Sequence, residues 1–95
     1  MGTEIVMAKA GTLESGDISI VVTPNNSGNN NIDLDSIVML QYGETITKLM
    51  HKVLADYQVL GLDIKAFDRG AVDFTIEARL VTALLRSGAI KEAKI

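Results

Sequence analysis

The sequence predicts an α+β fold: a two-layer sandwich in which two helices cover one face of a mainly antiparallel four-stranded sheet, in the order ββαββα. Three observations carry this expectation. Apolar and polar residues alternate at 17–23, 32–35, 62–67 and 71–76, the period of a strand with one inward face. The segments 46–57 and 78–86 instead space their apolar residues by three and four, as an amphipathic helix does. Two helical stripes and four one-sided strands are buried most simply as one layer against another.

Residues 1–16 read as an N-terminal arm that ends in a turn. Within it, Ile5-Val6-Met7-Ala8 fits either a short edge strand or a loosely docked segment. The stretch Ala10-Gly11-Thr12-Leu13-Glu14-Ser15-Gly16-Asp17 places one hydroxyl between two carboxylates, with glycine on either side. Gly11 and Gly16 accept backbone angles that other residues resist, so Ser15 is expected outward on a tight, exposed turn. A Ser-Gly pair is also an ordinary turn signal and recurs at Ser27 and Ser87, so spacing alone does not set Ser15 apart.

Ile18, Ile20 and Val22 then form the inward face of a strand that Pro24 stops. Residues 24–31 are rich in asparagine and are expected to form a mobile hairpin loop, with Ser27 a loop serine. Ile32 and Leu34 alternate with Asp33 and Asp35, a second strand expected to pair antiparallel with the first. With no third ligand in view, the two aspartates read as a solvated sheet face rather than a metal site.

Ile46, Leu49, Met50, Val53, Leu54 and Tyr57 form the buried stripe of the first helix, and Glu44, Lys48, His51, Lys52 and Asp56 its polar side. Gly61 is expected to supply the left-handed stop. The start has two readings: near Ile37 with Gly43 inside the helix, or later, with Ile37 to Leu40 prolonging the strand. His51 reads as a solvated surface residue and Met50 as core filling. Leu62, Ile64 and Ala66 and then Val72, Phe74 and Ile76 flank Asp68-Arg69-Gly70, which is expected to turn a hairpin. Ala78, Leu80, Val81, Leu84 and Leu85 mark the second helix, with Arg79, Thr82 and Arg86 on its polar side, Ser87 as a cap residue and Gly88 as its close.

Composition narrows the function classes. Ninety-five residues, 47% of them hydrophobic and 22% charged, are expected to form one globular domain over 1–95. A net charge of −3 without a basic cluster argues against nucleic acid and anionic membranes as partners. No apolar run is long enough to span a bilayer and the opening residues lack a signal peptide's pattern, so a cytoplasmic location is expected. The absence of cysteine removes disulfides, thiolate metal sites and thiol nucleophiles together. The single histidine, His51, leaves little from which to build a nucleophile and base, so no catalytic residues and no metal are expected. Glu14 and Asp17 would not lower the pKa of the Ser15 hydroxyl, which therefore reads as an acceptor that another enzyme modifies. Any thiol chemistry would need a sulfur carried by an attached group.

The run from Ala10 to Asp17 resembles the prosthetic-group attachment region of the citrate lyase acyl carrier proteins, the small gamma subunits of that enzyme. Gln41-Tyr42-Gly43-Glu44, Asp68-Arg69-Gly70-Ala71 and Glu77-Ala78-Arg79-Leu80 are similar to further runs of the family, so the likeness covers nearly the whole chain. The asparagine-rich loop and the apolar Ile37-Val38-Met39-Leu40 depart from it. The resemblance implies that Ser15 carries a phosphodiester-linked 2'-(5''-phosphoribosyl)-3'-dephospho-coenzyme A whose thiol holds acetyl. It implies three partners: an alpha subunit that exchanges acetyl for citrate, a beta subunit that cleaves the citryl thioester to oxaloacetate, and the transferase that installs the group. On this reading the chain is a carrier and not itself a catalyst, and Gly11 and Gly16 let the arm sweep. The four-helix phosphopantetheine carriers differ, because they place their serine at a helix start whereas Ser15 precedes a strand.

Two other readings stay open. One is the related acyl carrier of malonate decarboxylase, which uses the same group; the other is a small interaction or regulatory domain in which Ser15 is only a turn residue.

Overall fold

A computed structural model describes residues 4–94; the first three residues of the expected arm lie outside the described residues. Its strands are β1 (Ala8–Ala10), β2 (Ile18–Pro24), β3 (Asn31–Ser36) and β4 (Leu62–Asp68), and its helices are α1 (Met39–Asp56) and α2 (Asp73–Ser87). The order is thus βββαβα. The fold is α+β with a four-stranded sheet and two helices, but the sheet is mixed rather than mainly antiparallel, its strands running β1-β2-β4-β3.

β2 pairs antiparallel with β1 on one side and with β4 on the other, from Ile18 opposite Asp68 to Pro24 opposite Leu62. β3 lies beyond β4 and runs parallel to it, from Asn31 opposite Asp63 to Ser36 opposite Asp68. The expected hairpin between the first two long strands is therefore absent, because β4 is inserted between them. The parallel pair is joined through α1, as a parallel pair requires a crossover rather than a tight turn. Alternation fixes which face of a strand is buried but not which strand lies beside it.

The second correction concerns 71–76. No strand forms there; the Asp68-Arg69-Gly70 turn leads from β4 straight into α2. Val72 and Phe74 are exposed, whereas Ile76, Leu80, Ala83, Leu84 and Ser87 are buried, the three- and four-residue steps of a helix.

Ile18, Ile20 and Val22 of β2 and Leu62, Ile64 and Ala66 of β4 face the helices, where Ile46, Met50, Val53 and Leu54 of α1 and Ile76, Leu80 and Leu84 of α2 meet them. Each large aliphatic side chain buried in this way contributes roughly 1.5–3 kcal/mol relative to exposure. Asp33 and Lys65 form a 3.1 Å ion pair on exposed side chains. His51 is exposed and Met50 fully buried.

α1 begins at Met39, so Ile37 to Leu40 do not prolong the strand, and Gly43 lies inside the helix against the Met39 side chain. Its left-handed stop is Gln58, with φ 57°, rather than Gly61. The Gln58 and Val59 N–H groups donate to the Ala55 and Leu54 carbonyls at 3.0 Å each, a Schellman closure. Gly88 closes α2 in the same way, donating to Leu85 at 3.2 Å. Ser87 donates to the Leu84 carbonyl at 2.8 Å. In the asparagine-rich connection, Asn25 and Asn31 both donate to the Asp63 carboxylate, Asn30 donates to the Val59 carbonyl, and Ser27 donates to the Asn25 side chain.

Candidate functional site

The start of β2, the ends of β3 and β4 and the starts of both helices share one end of the domain. The Ser15 turn sits there. The Asp17 N–H donates to the Glu14 carbonyl at 3.0 Å and Gly16 has φ 84°, so residues 14–17 have the form of a type II turn with glycine where the positive φ falls. Ser15 occupies the outer corner and is exposed. Its Oγ has no hydrogen-bond partner among the described residues.

The turn is fastened from beneath. The Gly16 N–H donates to the Arg69 carbonyl at 2.7 Å, and the Arg69 N–H donates to the Asp17 carbonyl at 2.9 Å. Asp17, only 9% exposed, accepts from Arg79 Nε at 2.9 Å, from Thr12 Oγ1 at 2.8 Å and from the Ile18 N–H at 2.7 Å. A second Arg79 nitrogen reaches its other oxygen at 3.3 Å. The Thr12 hydroxyl in turn accepts from the Glu14 N–H at 3.2 Å. Arg79, then Thr12 and the Ile18 N–H, hold the Asp17 carboxyl well below the usual carboxylate range.

Arg69 belongs to the β4–α2 connection, and that connection has its own brace. Asp68 is fully buried; it accepts from the Ser36 hydroxyl at 2.7 Å and from the Ala71 N–H at 2.9 Å, while the Ser36 Oγ accepts from the Val38 N–H at 3.0 Å. The ends of β3 and β4 are thereby locked to the platform on which the Ser15 turn rests.

Of the residues singled out from sequence, Gly11, Glu14, Ser15, Gly16 and Asp17 gather in this one corner. Gly11 corrects the expectation of a sweeping hinge. It has φ 86°, and a Cβ there would overlap the Ile18 carbonyl oxygen, so this glycine serves close packing rather than freedom. Gly16 has open space around it, yet its N–H is bonded. Asp17 is likewise an internal anchor rather than a free surface charge, which leaves Glu14 as the exposed carboxylate of the pair. Arg69 and Arg79 were not recognised from sequence as parts of the site. The signal was a lone acid at a strand start, which in a buried position needs a cation, and Arg79 is an arginine on the second helix.

Chemically, the corner offers an accessible alcohol on a rigid turn, with no base hydrogen-bonded to it among the described residues. Asp17 cannot take a proton near neutral pH, since its ionised form is held by four bonds. Such a hydroxyl accepts a group from another catalyst and does not act alone. No group of three or more histidines, cysteines and acids among the described residues is arranged to hold a metal.

The family model described as malonate decarboxylase delta subunit matches residues 6–87. Citrate lyase acyl carrier proteins from Streptococcus pyogenes serotype M5 (strain Manfredo) and serotype M4 (strain MGAS10750) are 41% and 40% identical to this chain over 85 residues, 90% of this chain and 83% of each relative. A solved structure of a Pseudomonas malonate decarboxylase hetero-tetramer in complex with malonate contains a similar chain, with a TM-score of 0.78 and 22% identity, covering 87% of this chain and 84% of that one. The Staphylococcus aureus RNase P protein superposes more loosely, with a TM-score of 0.52 and 12% identity, covering 85% of this chain and 83% of that one. At such low identities the two solved structures speak to the fold alone.

Proposed function

Because the chain belongs to the family of acyl carrier proteins that includes those of citrate lyase and the delta subunit of malonate decarboxylase, we propose that it is the acyl carrier subunit of a citrate lyase and that Ser15 is its attachment residue. The observation that carries the site is the exposed, unbonded Ser15 hydroxyl at the corner of a turn clamped by Asp17 and Arg79.

The group proposed on Ser15 is 2'-(5''-phosphoribosyl)-3'-dephospho-coenzyme A, which supplies a terminal thiol on which acetyl and then citryl are carried as thioesters. The residues present fit it: the oxygen is exposed, and open space surrounds Gly16. Forming the phosphodiester joins Ser15 Oγ to phosphorus, passes the hydroxyl proton to a base and breaks a phosphoanhydride P–O bond of the activated donor, whose pyrophosphate leaves. Since Asp17 is committed to Arg79 and no side chain among the described residues accepts a hydrogen bond from the Ser15 hydroxyl, the installing transferase supplies the base.

The chain's own part is mechanical. Anchored at Asp17, Arg69 and the Asp68–Ser36 brace, the turn holds the root of the arm fixed, so its reach comes from the arm and not from Gly11. Tethering offers the thioester to the alpha and beta subunits in turn at an effective concentration that can reach roughly the millimolar range, without release between steps. The chain contributes no catalytic residue. The malonate decarboxylase carrier remains the second reading, favoured by the description of the matching family model; the relatives at 41% identity favour the lyase.

Reconstitution tests this function. The modified, acetylated protein mixed with citrate lyase alpha and beta subunits should cleave citrate, and the Ser15→Ala protein should not. Activity with malonate decarboxylase subunits and none with lyase subunits would select the second reading.

A further inference from the structure

We propose that the end of the domain bearing Ser15 is the face on which the catalytic subunits dock, through an apolar cleft of theirs rimmed by lysine and arginine. This rests on the carrier reading above and deepens it.

Exposed large apolar side chains crowd this end. Leu13 flanks the Ser15 turn, Ile37 and Leu40 stand at the start of α1 with Tyr42, and Val72 and Phe74 stand at the start of α2. Leu40 is 99% exposed and Phe74 76%. A groove between Tyr42 and Ala71 separates the two helix starts, and Ile37 lies against Gly70. Single exposed apolar residues are ordinary, but a cluster around a site that other proteins must reach marks a contact surface.

The charges choose the occupant. Glu14, Asp35 and Asp73 are exposed at this end and have no ion-pair partner among the described residues, whereas Asp33 and Asp56 are paired with lysines. Of the two arginines beside the turn, Arg79 is turned inward on Asp17 and Arg69 donates from Nη1 to the Asp68 carbonyl. A second copy of this chain would set these acids against acids, and an anionic bilayer would be repelled. A partner with a basic rim around an apolar cleft matches both features.

The test uses protein whose modification has been verified by intact mass and catalytic subunits purified separately, with affinity read by calorimetry. Leu40→Ser with Phe74→Ser should weaken binding at least 10-fold, because central apolar anchors dominate interface energetics; Leu60→Ser, at the opposite end, should leave it unchanged. The triple variant Glu14→Gln, Asp35→Asn, Asp73→Asn should bind more weakly at low salt and show a flatter salt dependence. Circular dichroism and the unfolding midpoint check that each variant folds. Unchanged affinity in the apolar variant, an equal loss in Leu60→Ser, or a dimer of the parent protein that the apolar variant dissolves without loss of subunit binding would overturn the docking face. Failure of the carrier reading looks different: the parent protein then shows no mass adduct at all.

Discussion

Asp17 and Arg79 are 62 residues apart in the chain, yet their side chains meet at 2.9 Å beneath the Ser15 turn. The pair ties the segment before β2 to the middle of α2 and fixes where the exposed hydroxyl stands. Arg79→Met should destabilise the fold, because the Asp17 carboxylate then loses its charge-assisted hydrogen bonds, and should also slow modification of Ser15. Arg79→Lys should recover only part of either effect, since an ammonium cannot reproduce the forked contact. Urea unfolding and a mass-based modification time course measure the two.

The same pair sets a pH dependence. The folded-state pKa of Asp17 lies well below its ordinary value of 3.8, so at acid pH the unfolded chain takes up the proton more readily than the folded one. The associated stabilisation is therefore fully present above about pH 5 and is lost progressively as the pH falls below about 4 and through the depressed folded value. Unfolding midpoints measured from pH 6 down to pH 2.5 should fall more steeply in the parent than in Asp17→Asn, whose curve should lie lower at pH 6 and converge with the parent's in acid.

The two glycines of the turn should separate cleanly. Gly11→Ala must push a Cβ into the Ile18 carbonyl at a positive φ, and we expect a loss of about 3 kcal/mol or failure to fold. Gly16→Ala meets open space and carries only the cost of φ 84°, about 1 kcal/mol. Equal losses at the two positions would contradict the packing described for Gly11.

Gln58 holds φ 57° in the closure of α1, a position that glycine fills without the steric cost of a Cβ. Gln58→Gly should therefore stabilise the protein by roughly 0.5 kcal/mol despite the more flexible unfolded chain. A lower urea midpoint would show that the Gln58 side chain contributes more than its backbone costs.

Much of this was legible in the sequence. The alternation of Ile18, Ile20 and Val22, and of Leu62, Ile64 and Ala66, gave the buried face of two strands, and the stripe from Ile46 to Val53 gave α1. The exposed Ser15 turn was likewise foreseen from Gly16. The order of strands was not, because Ile32 and Leu34 alternate identically whichever neighbour they take, and the parallel pairing of β3 with β4 is imposed by α1 crossing between them. Val72, Phe74 and Ile76 misled because five residues satisfy a period of two and the beginning of a helix equally well; only the run through Leu80, Leu84 and Ser87 decides. Arg79 was hidden because its role depends on α2 lying across the start of β2, a tertiary fact with no local pattern.

The most direct test is the intact mass of the protein produced together with its maturation enzymes. One large adduct should appear, persist in Ser27→Ala and vanish in Ser15→Ala. An unmodified mass in the presence of an active maturation system, or an adduct that survives Ser15→Ala, would contradict it.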